Sequence, residues 1–97
     1  MSEHESPVPD LSIVVPLYNE GAHLRRVIDE ISAACAGLTL TYELILVDDG
    51  SQDTTWPVIK AAGDAHVRGI RLSRNFGKEA ALAAGLEAAR GRAAIIM

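Results

Sequence analysis

Three short segments of this 97-residue chain carry side chains whose types and spacing could do chemistry: Tyr18-Asn-Glu20, Asp48-Asp-Gly-Ser51 and Arg74-Asn-Phe-Gly-Lys78. Asp48 and Asp49 are adjacent carboxylates. Ionised, they only accept hydrogen bonds, which suits the ring N–H of a base or a pair of ribose hydroxyls. Neighbouring residues of an extended segment point to opposite sides, so one of the two is expected to line a given cleft while the other orients backbone. Turn and capping duty is the alternative for both. Glu20 admits two roles, a nucleotide contact or an acid beside the positive end of the helix that follows. Lys78 follows a glycine at an expected helix start, where a point charge and free backbone N–H groups together suit phosphate. A solvated surface lysine is the simpler alternative. Two familiar phosphate loops are absent: no glycines make a GxGxxG, and Gly77-Lys-Glu79 has neither the upstream glycine nor the Ser/Thr of a P-loop.

Other chemistries find little support. His4, His23 and His66 stand in unrelated contexts, so neither a histidine metal site nor a general-base histidine is expected. Trp56 and Phe76 are expected to pack rather than to stack on bases. The arginines are dispersed, which argues against nucleic acid as a partner. Cys35 is the only cysteine, excluding an internal disulfide or a multi-thiolate zinc site, and is expected to be a small buried hydrophobe. Charge is unevenly placed: ten acids face two arginines before Lys60, and seven bases face three acids from there on. An acidic half suits hydroxyls and base N–H groups, and a basic half suits phosphate.

The elements that must position these groups follow from periodicity. With 48% hydrophobic and 23% charged residues, the chain has the composition of one ordinary domain. The first ten residues lack the pattern of a signal peptide and read as a polar arm, and no apolar stretch approaches the ~20 residues of a membrane helix. Residues 11–16 are a β-branched run, and Pro16 is expected to end the strand because it cannot donate to a ladder. Leu24, Val27, Ile28, Ile31, Ala34 and Cys35 recur at helical spacing, predicting an amphipathic helix that stops near Gly37. Residues 42–47 form a nearly continuous apolar strand, the pattern of a strand covered on both faces. Ser51 and Asp53 are N-cap types for a short helix that contains Pro57 in its first turns and ends near Gly63. Residues 67–72 predict a third strand, 78–90 an alanine-rich helix able to approach a sheet closely, and 93–97 a fourth strand. This alternation predicts an α/β fold: a mainly parallel sheet with flanking helices and right-handed crossovers. Ligands of such sheets bind beyond the carboxyl ends of the strands, where all three polar segments fall.

The ordered set Ile13-Val-Val-Pro-Leu-Tyr-Asn-Glu20, Leu46-Val-Asp-Asp-Gly-Ser-Gln-Asp-Thr54 and Ser73-Arg-Asn-Phe-Gly-Lys-Glu-Ala-Ala-Leu82 resembles the start of family 2 glycosyltransferases. It is most similar to the polyprenyl-phosphate branch, which includes dolichol-phosphate mannose synthases and undecaprenyl-phosphate glycosyltransferases. The first two motifs are widely shared in the family, and the Arg74–Lys78 segment is the one specific to this branch. The resemblance covers about residues 10–97 and implies that residues 11–97 are the N-terminal, Rossmann-like nucleotide-binding half of a GT-A fold. It implies transfer of a hexose from a UDP- or GDP-sugar to a polyprenyl phosphate at the cytoplasmic membrane face. By the same resemblance Pro16, Tyr18 and Glu20 line the nucleoside site, Asp48 and Asp49 meet base or ribose, and Lys78 lies near the phosphates.

Family members use an Asp-x-Asp motif to hold Mg²⁺ or Mn²⁺ on the sugar diphosphate, and that motif is expected just after Met97. The resemblance therefore places no catalytic base and no metal ligand in these 97 residues, which are expected to bind nucleotide weakly and not to turn over alone. A sugar nucleotidyltransferase would want a glycine-rich loop after the first strand, and a receiver domain an acidic pair there; neither is present. The competing possibility is a non-catalytic half-domain that associates with itself or a partner through the apolar edge of an unfinished sheet.

Overall fold

The computed structural model describes residues 8–62 and 65–97. The polar arm up to residue 7 and the expected helix end at Gly63 lie outside the described residues. In chain order the elements are β1 (Leu11–Leu17), α1 (Gly21–Ala36), β2 (Tyr42–Asp48), α2 (Thr55–Ala61), β3 (Val67–Arg71), α3 (Lys78–Ala88) and β4 (Ala93–Ile96). The four strands form one parallel sheet in the order β3-β2-β1-β4. This is the α/β architecture expected from the alternating pattern.

Side-chain alternation assigns each strand face a layer. Ile13, Val15 and Leu17 of β1 join Leu44 and Leu46 of β2, and against them pack Leu24, Ile28, Ile31 and Cys35 of α1 and Ile59 of α2. Cys35 is thus the buried hydrophobe its context suggested. Burying a leucine or isoleucine such as Leu24 or Ile28 contributes about 2 kcal/mol, so this face carries most of the stabilisation. The opposite face, Val14 with Ile45 and Val47, receives Ala81 of α3. Gly85 makes that contact possible, since a Cβ there would overlap Val14 Cγ1 and press on Val47 Cγ2. From Glu43 to Asp48 every residue of β2 is buried, as a strand covered on both faces requires.

Several boundaries differ from expectation for identifiable reasons. β1 does not stop at Pro16: Pro16 pairs in register with Val47, and Leu17 with Asp48. Val14 C=O accepts from Met97 N on the β4 side and Leu17 C=O accepts from Asp49 N on the β2 side. The Pro16 nitrogen therefore points away from β2, so its pairing with that strand loses no donor. β3 ends one residue before Leu72, and α3 ends at Ala88 rather than Arg90. Residues 9 and 10 already belong to the folded unit, because Pro9 and Asp10 carbonyls accept from Arg92 and Ala93 N–H groups.

α1 and α2 lie on one face and α3 on the other. The loop after β1 consequently leaves the sheet in one direction and the loop after β3 in the opposite one. A cleft opens between two such loops at the carboxyl ends of the strands, as is general for open parallel sheets.

Candidate functional site

The cleft has a volume of about 530 Å³ and is lined by Pro16, Leu17, Tyr18, Glu20, Asp49, Asn75, Gly77 and Lys78. That is within the ~300–1,000 Å³ usual for small-molecule sites. Five of the six residues expected from sequence share it: Pro16, Tyr18, Glu20, Asp49 and Lys78. Leu17, Asn75 and Gly77 were not anticipated, although Asn75 and Gly77 lie inside the Arg74–Lys78 segment already marked as chemically distinctive.

Asp48 is the exception among the six. β2 alternation turns it toward the α1–α2 face, where it is fully buried. Its Oδ1 accepts from Ser51 N at 2.9 Å, fixing the turn that follows the strand. Its Oδ2 has no hydrogen-bond partner among the described residues and lies 4.0 Å from Arg71 Nε. Only Asp49 of the pair lines the cleft, as the opposite facing of adjacent strand residues led one to expect, and the position of Asp48 does not match the base or ribose contact that the resemblance implies for it.

Asp49, almost fully buried, lines the cleft and organises its far wall. Its Oδ1 accepts from Phe76 N at 2.9 Å, and its Oδ2 from Gly77 N at 3.1 Å and Asn75 Nδ2 at 3.3 Å. Gly77, at φ 106°, adopts a conformation that favours glycine and turns the loop into α3. The carboxylate thus sits at the positive end of that helix. Two backbone donors near Lys78 are in this way already matched by an internal anion. Lys78 itself, exposed on the cleft wall, remains the cation available to a ligand. Oδ1 of Asp49 takes a single described donor and retains a lone pair for another.

The near wall is the loop from β1 to α1. Asn19 there has φ 53°, and its own side chain and backbone are tied to the β2–α2 loop through Ser51 Oγ and Gln52 N. Tyr18 and Glu20 on either side are exposed to the cleft. Glu20 occupies the N-cap position of α1 but makes no side-chain capping bond, leaving its carboxylate free for the cleft. The acid that serves the α1 start is Asp53, whose Oδ2 accepts from Gly21 N at 3.0 Å. Ser51 and Asp53, both N-cap types for the following helix, do not occupy its N-cap position. α2 in fact has Thr54 at its N-cap, Asp53 bonds Thr55 N, and Ser51 bonds Asn19.

The aromatic expectations divide. Trp56 packs against the core as expected, with Arg71 5.7 Å above its ring. Phe76 does not pack: it is 49% exposed, with the Arg74 guanidinium 4.7 Å from its centroid. The loop's backbone is claimed by Asp49, which leaves the ring outside.

A cleft at the carboxyl ends of a parallel sheet, with two carboxylates and one lysine on its walls, defines an α/β unit suited to a ligand that combines donor groups with phosphate. The family model for "Glycosyl transferase family 2" matches residues 12–97, and the chain belongs to that family. The chain is 44% identical over 88 residues to the undecaprenyl-phosphate 4-deoxy-4-formamido-L-arabinose transferases of Yersinia pestis and Yersinia pseudotuberculosis. These matches cover 88% of this chain and 27% of each relative, so the chain spans about a quarter of their length. Among solved structures it superposes on S. aureus TarS with a TM-score of 0.74 at 22% identity, covering 91% of this chain and 16% of that one. It superposes on a Pyrobaculum calidifontis mannosyltransferase, solved with GDP-Man and Mn²⁺, with a TM-score of 0.70 at 23% identity, covering 87% and 25% respectively. The shared fold is that of GT-A glycosyltransferases.

The described residues do not fit a divalent metal. They contain no group of three or more His, Cys, Asp or Glu able to hold one. Asp48 and Asp49 face opposite sides of the sheet, and both Asp49 oxygens already accept backbone donors. Among the described residues no helix is long and apolar enough to cross a membrane.

Proposed function

We propose that the cleft binds the nucleoside diphosphate part of a UDP- or GDP-sugar, and that the longer protein transfers the sugar to a polyprenyl phosphate. The observation that carries the first half is the convergence of Glu20, Asp49 and Lys78 on one cleft. In this role Pro16 and Tyr18 flank the nucleoside, Asp49 and Glu20 accept from base N–H or ribose hydroxyl groups, and Lys78 meets phosphate charge. Asp48 acts one step removed, by building the turn at Ser51 from which Asn19 is held. The polyprenyl-phosphate acceptor is supported by the 44% identity to transferases named for undecaprenyl phosphate. The reaction belongs at the cytoplasmic face of a membrane, where such lipid phosphates meet soluble donors.

In the longer protein a Mg²⁺ or Mn²⁺ ion would supply charge neutralisation at the sugar diphosphate, as the family resemblance implies, and none of the described residues is proposed as its ligand. The steps available to this chain are binding and orientation of the donor. Incubating the longer protein with radiolabelled UDP- and GDP-sugars and undecaprenyl phosphate tests the activity. Label in the lipid phase is expected with one donor class, and none with the 97-residue chain alone. Failure of the longer protein with every donor, or turnover by the chain alone, would contradict the proposal.

A second role rests on β4. All four of its residues are exposed, and Ile95, Ile96 and Met97 present apolar side chains at a sheet edge. Pairing of the chain with itself through this edge is expected to give a dimer by light scattering, which Ile95→Lys abolishes. A monomer at high micromolar concentration would remove this role.

A further inference from the structure

The wall of the cleft formed by Tyr18, Asn19 and Glu20 is held from outside the cleft. Glu20 N donates to Thr55 Oγ1 at 2.9 Å, Gly21 N to Asp53 Oδ2 at 3.0 Å, and Asn19 N to Ser51 Oγ at 2.8 Å. Thr55 Oγ1 and Thr55 N both donate to Asp53 Oδ1. One carboxylate therefore serves the first turns of two helices, α1 and α2, and Thr55 relays it to the backbone of Glu20. Thr55 is fully buried, and neither it nor Asp53 lines the cleft. The approach is tight enough that α1 must begin with a residue lacking a side chain, since a Cβ on Gly21 would overlap Thr54 Oγ1 and sit 2.8 Å from Thr55 N.

We infer that Asp53 and Thr55 are positioning residues for ligand binding: they fix where Glu20 and Tyr18 stand in the cleft, without touching the ligand. The inference rests on the nucleotide role of the cleft. A helix start held by a neighbouring loop has a defined direction, whereas one held by water frays through its first turn. In the absence of Asp53, Gly21 N and Thr55 N both lose their acceptor, and the Glu20 side chain loses its fixed origin. A carboxylate displaced by about 1 Å no longer meets a ligand N–H at hydrogen-bond distance.

The experiment pairs nucleotide titration with amide exchange on the 97-residue chain, using UDP and GDP as probes. In the wild-type chain the Glu20 and Gly21 amides are expected to be protected. In Asp53→Ala they lose protection, and nucleotide affinity falls about tenfold, or ~1.4 kcal/mol. Thr55→Val produces the same loss at Glu20 N, whereas Thr55→Ser, which keeps the hydroxyl, binds within about twofold of wild type. Asp53→Asn retains one acceptor and falls between. Should Asp53→Ala fail to fold, Asp53→Asn and the Thr55 pair decide the question. Unchanged affinity in folded Asp53→Ala and Thr55→Val, or reduced affinity with the Glu20 and Gly21 amides still protected, would overturn the inference. A wild-type chain that binds neither nucleotide would instead overturn the role of the cleft, and the positioning role with it.

Discussion

Glu43, near the start of β2, and Asp49, one residue past its end, lie toward the same face of the sheet, and between them they hold both ends of α3. Asp49 takes the N–H groups of Phe76 and Gly77, just before the helix. Glu43 takes Arg90 N at 2.6 Å, just after it, together with Ser12 Oγ at 2.6 Å and Arg68 Nη1 at 2.7 Å. Arg68 Nη1 also donates to Ala88 C=O at 3.0 Å, setting a cation on the negative end of the helix. The spacing agrees with the geometry: six strand residues extend about 20 Å, and the eleven residues of α3 cover about 17 Å with their flanks completing the path. Ile45 and Val47 lie between the two acids and supply the apolar bed for Ala81.

Removing Glu43 should loosen the end of this assembly away from the cleft. Glu43→Ala leaves Ser12, Arg68 and Arg90 N without their shared acceptor, a loss of about 2 kcal/mol after allowing for the partial exposure of Arg68. For a domain of this size that lowers the thermal midpoint by about 10 °C. Calorimetric or circular-dichroism melts check it, and a midpoint unchanged from wild type would show that the cluster contributes nothing net.

The same residue gives stability a pH dependence of definite sign. Burial pushes the Glu43 carboxyl up, but the hydrogen bonds from Ser12, Arg90 N and Arg68 together outweigh it, so the group titrates below its ordinary value of 4.5. Asp53 is likewise held below 3.8, chiefly by the Thr55 hydroxyl, and Asp10 by Thr41 N. A depressed folded pKa contributes stability that is present above the unfolded value and disappears as pH falls through the folded one. Urea midpoints should therefore be flat from neutral pH down to about 5 and then decline, with a shallower decline in Glu43→Gln. A midpoint that rises on acidification below pH 4 would contradict this assignment.

Gly85→Ala sets helix propensity against packing. Alanine gains about 1 kcal/mol in a helix interior, but the new methyl overlaps Val14 Cγ1 in a buried, β-branched neighbour that has no room to turn. Overpacking costs about 1–3 kcal/mol, so the variant should be less stable by up to about 2 kcal/mol. Denaturant unfolding reads this directly, and a stabilised variant would mean that α3 lies farther from the sheet than described.

Lys78→Ala should separate phosphate recognition from nucleoside recognition. Affinity for UDP or GDP is expected to fall about tenfold, corresponding to one exposed charge-assisted contact, while affinity for uridine or guanosine stays the same. Isothermal titration with the four compounds distinguishes the cases. An equal loss for nucleoside and nucleotide would place Lys78 away from the phosphates.

Much of the fold was legible because it is written in local periodicity. The step of three and four from Leu24 to Cys35 placed α1, and the apolar run Leu44–Val47 placed the doubly covered β2. The cleft was legible where a residue lines it from its own loop, as with Tyr18, Glu20 and Lys78. What escaped was tertiary: Asp53 bonds a glycine 32 positions away as well as its own helix, and Asp49 reaches 27 and 28 positions to the loop that leaves Phe76 exposed. The end of β1 escaped for the same reason, since whether a missing N–H matters depends on which neighbouring strand the Pro16 nitrogen faces.

The most direct test is a nucleotide titration of the isotope-labelled 97-residue chain followed by backbone NMR. Saturable shifts are expected with UDP or GDP at Tyr18, Glu20, Asp49, Asn75, Gly77 and Lys78, with β4 unperturbed. No shifts at millimolar nucleotide, or shifts confined to residues outside the cleft, would contradict nucleotide binding at this site.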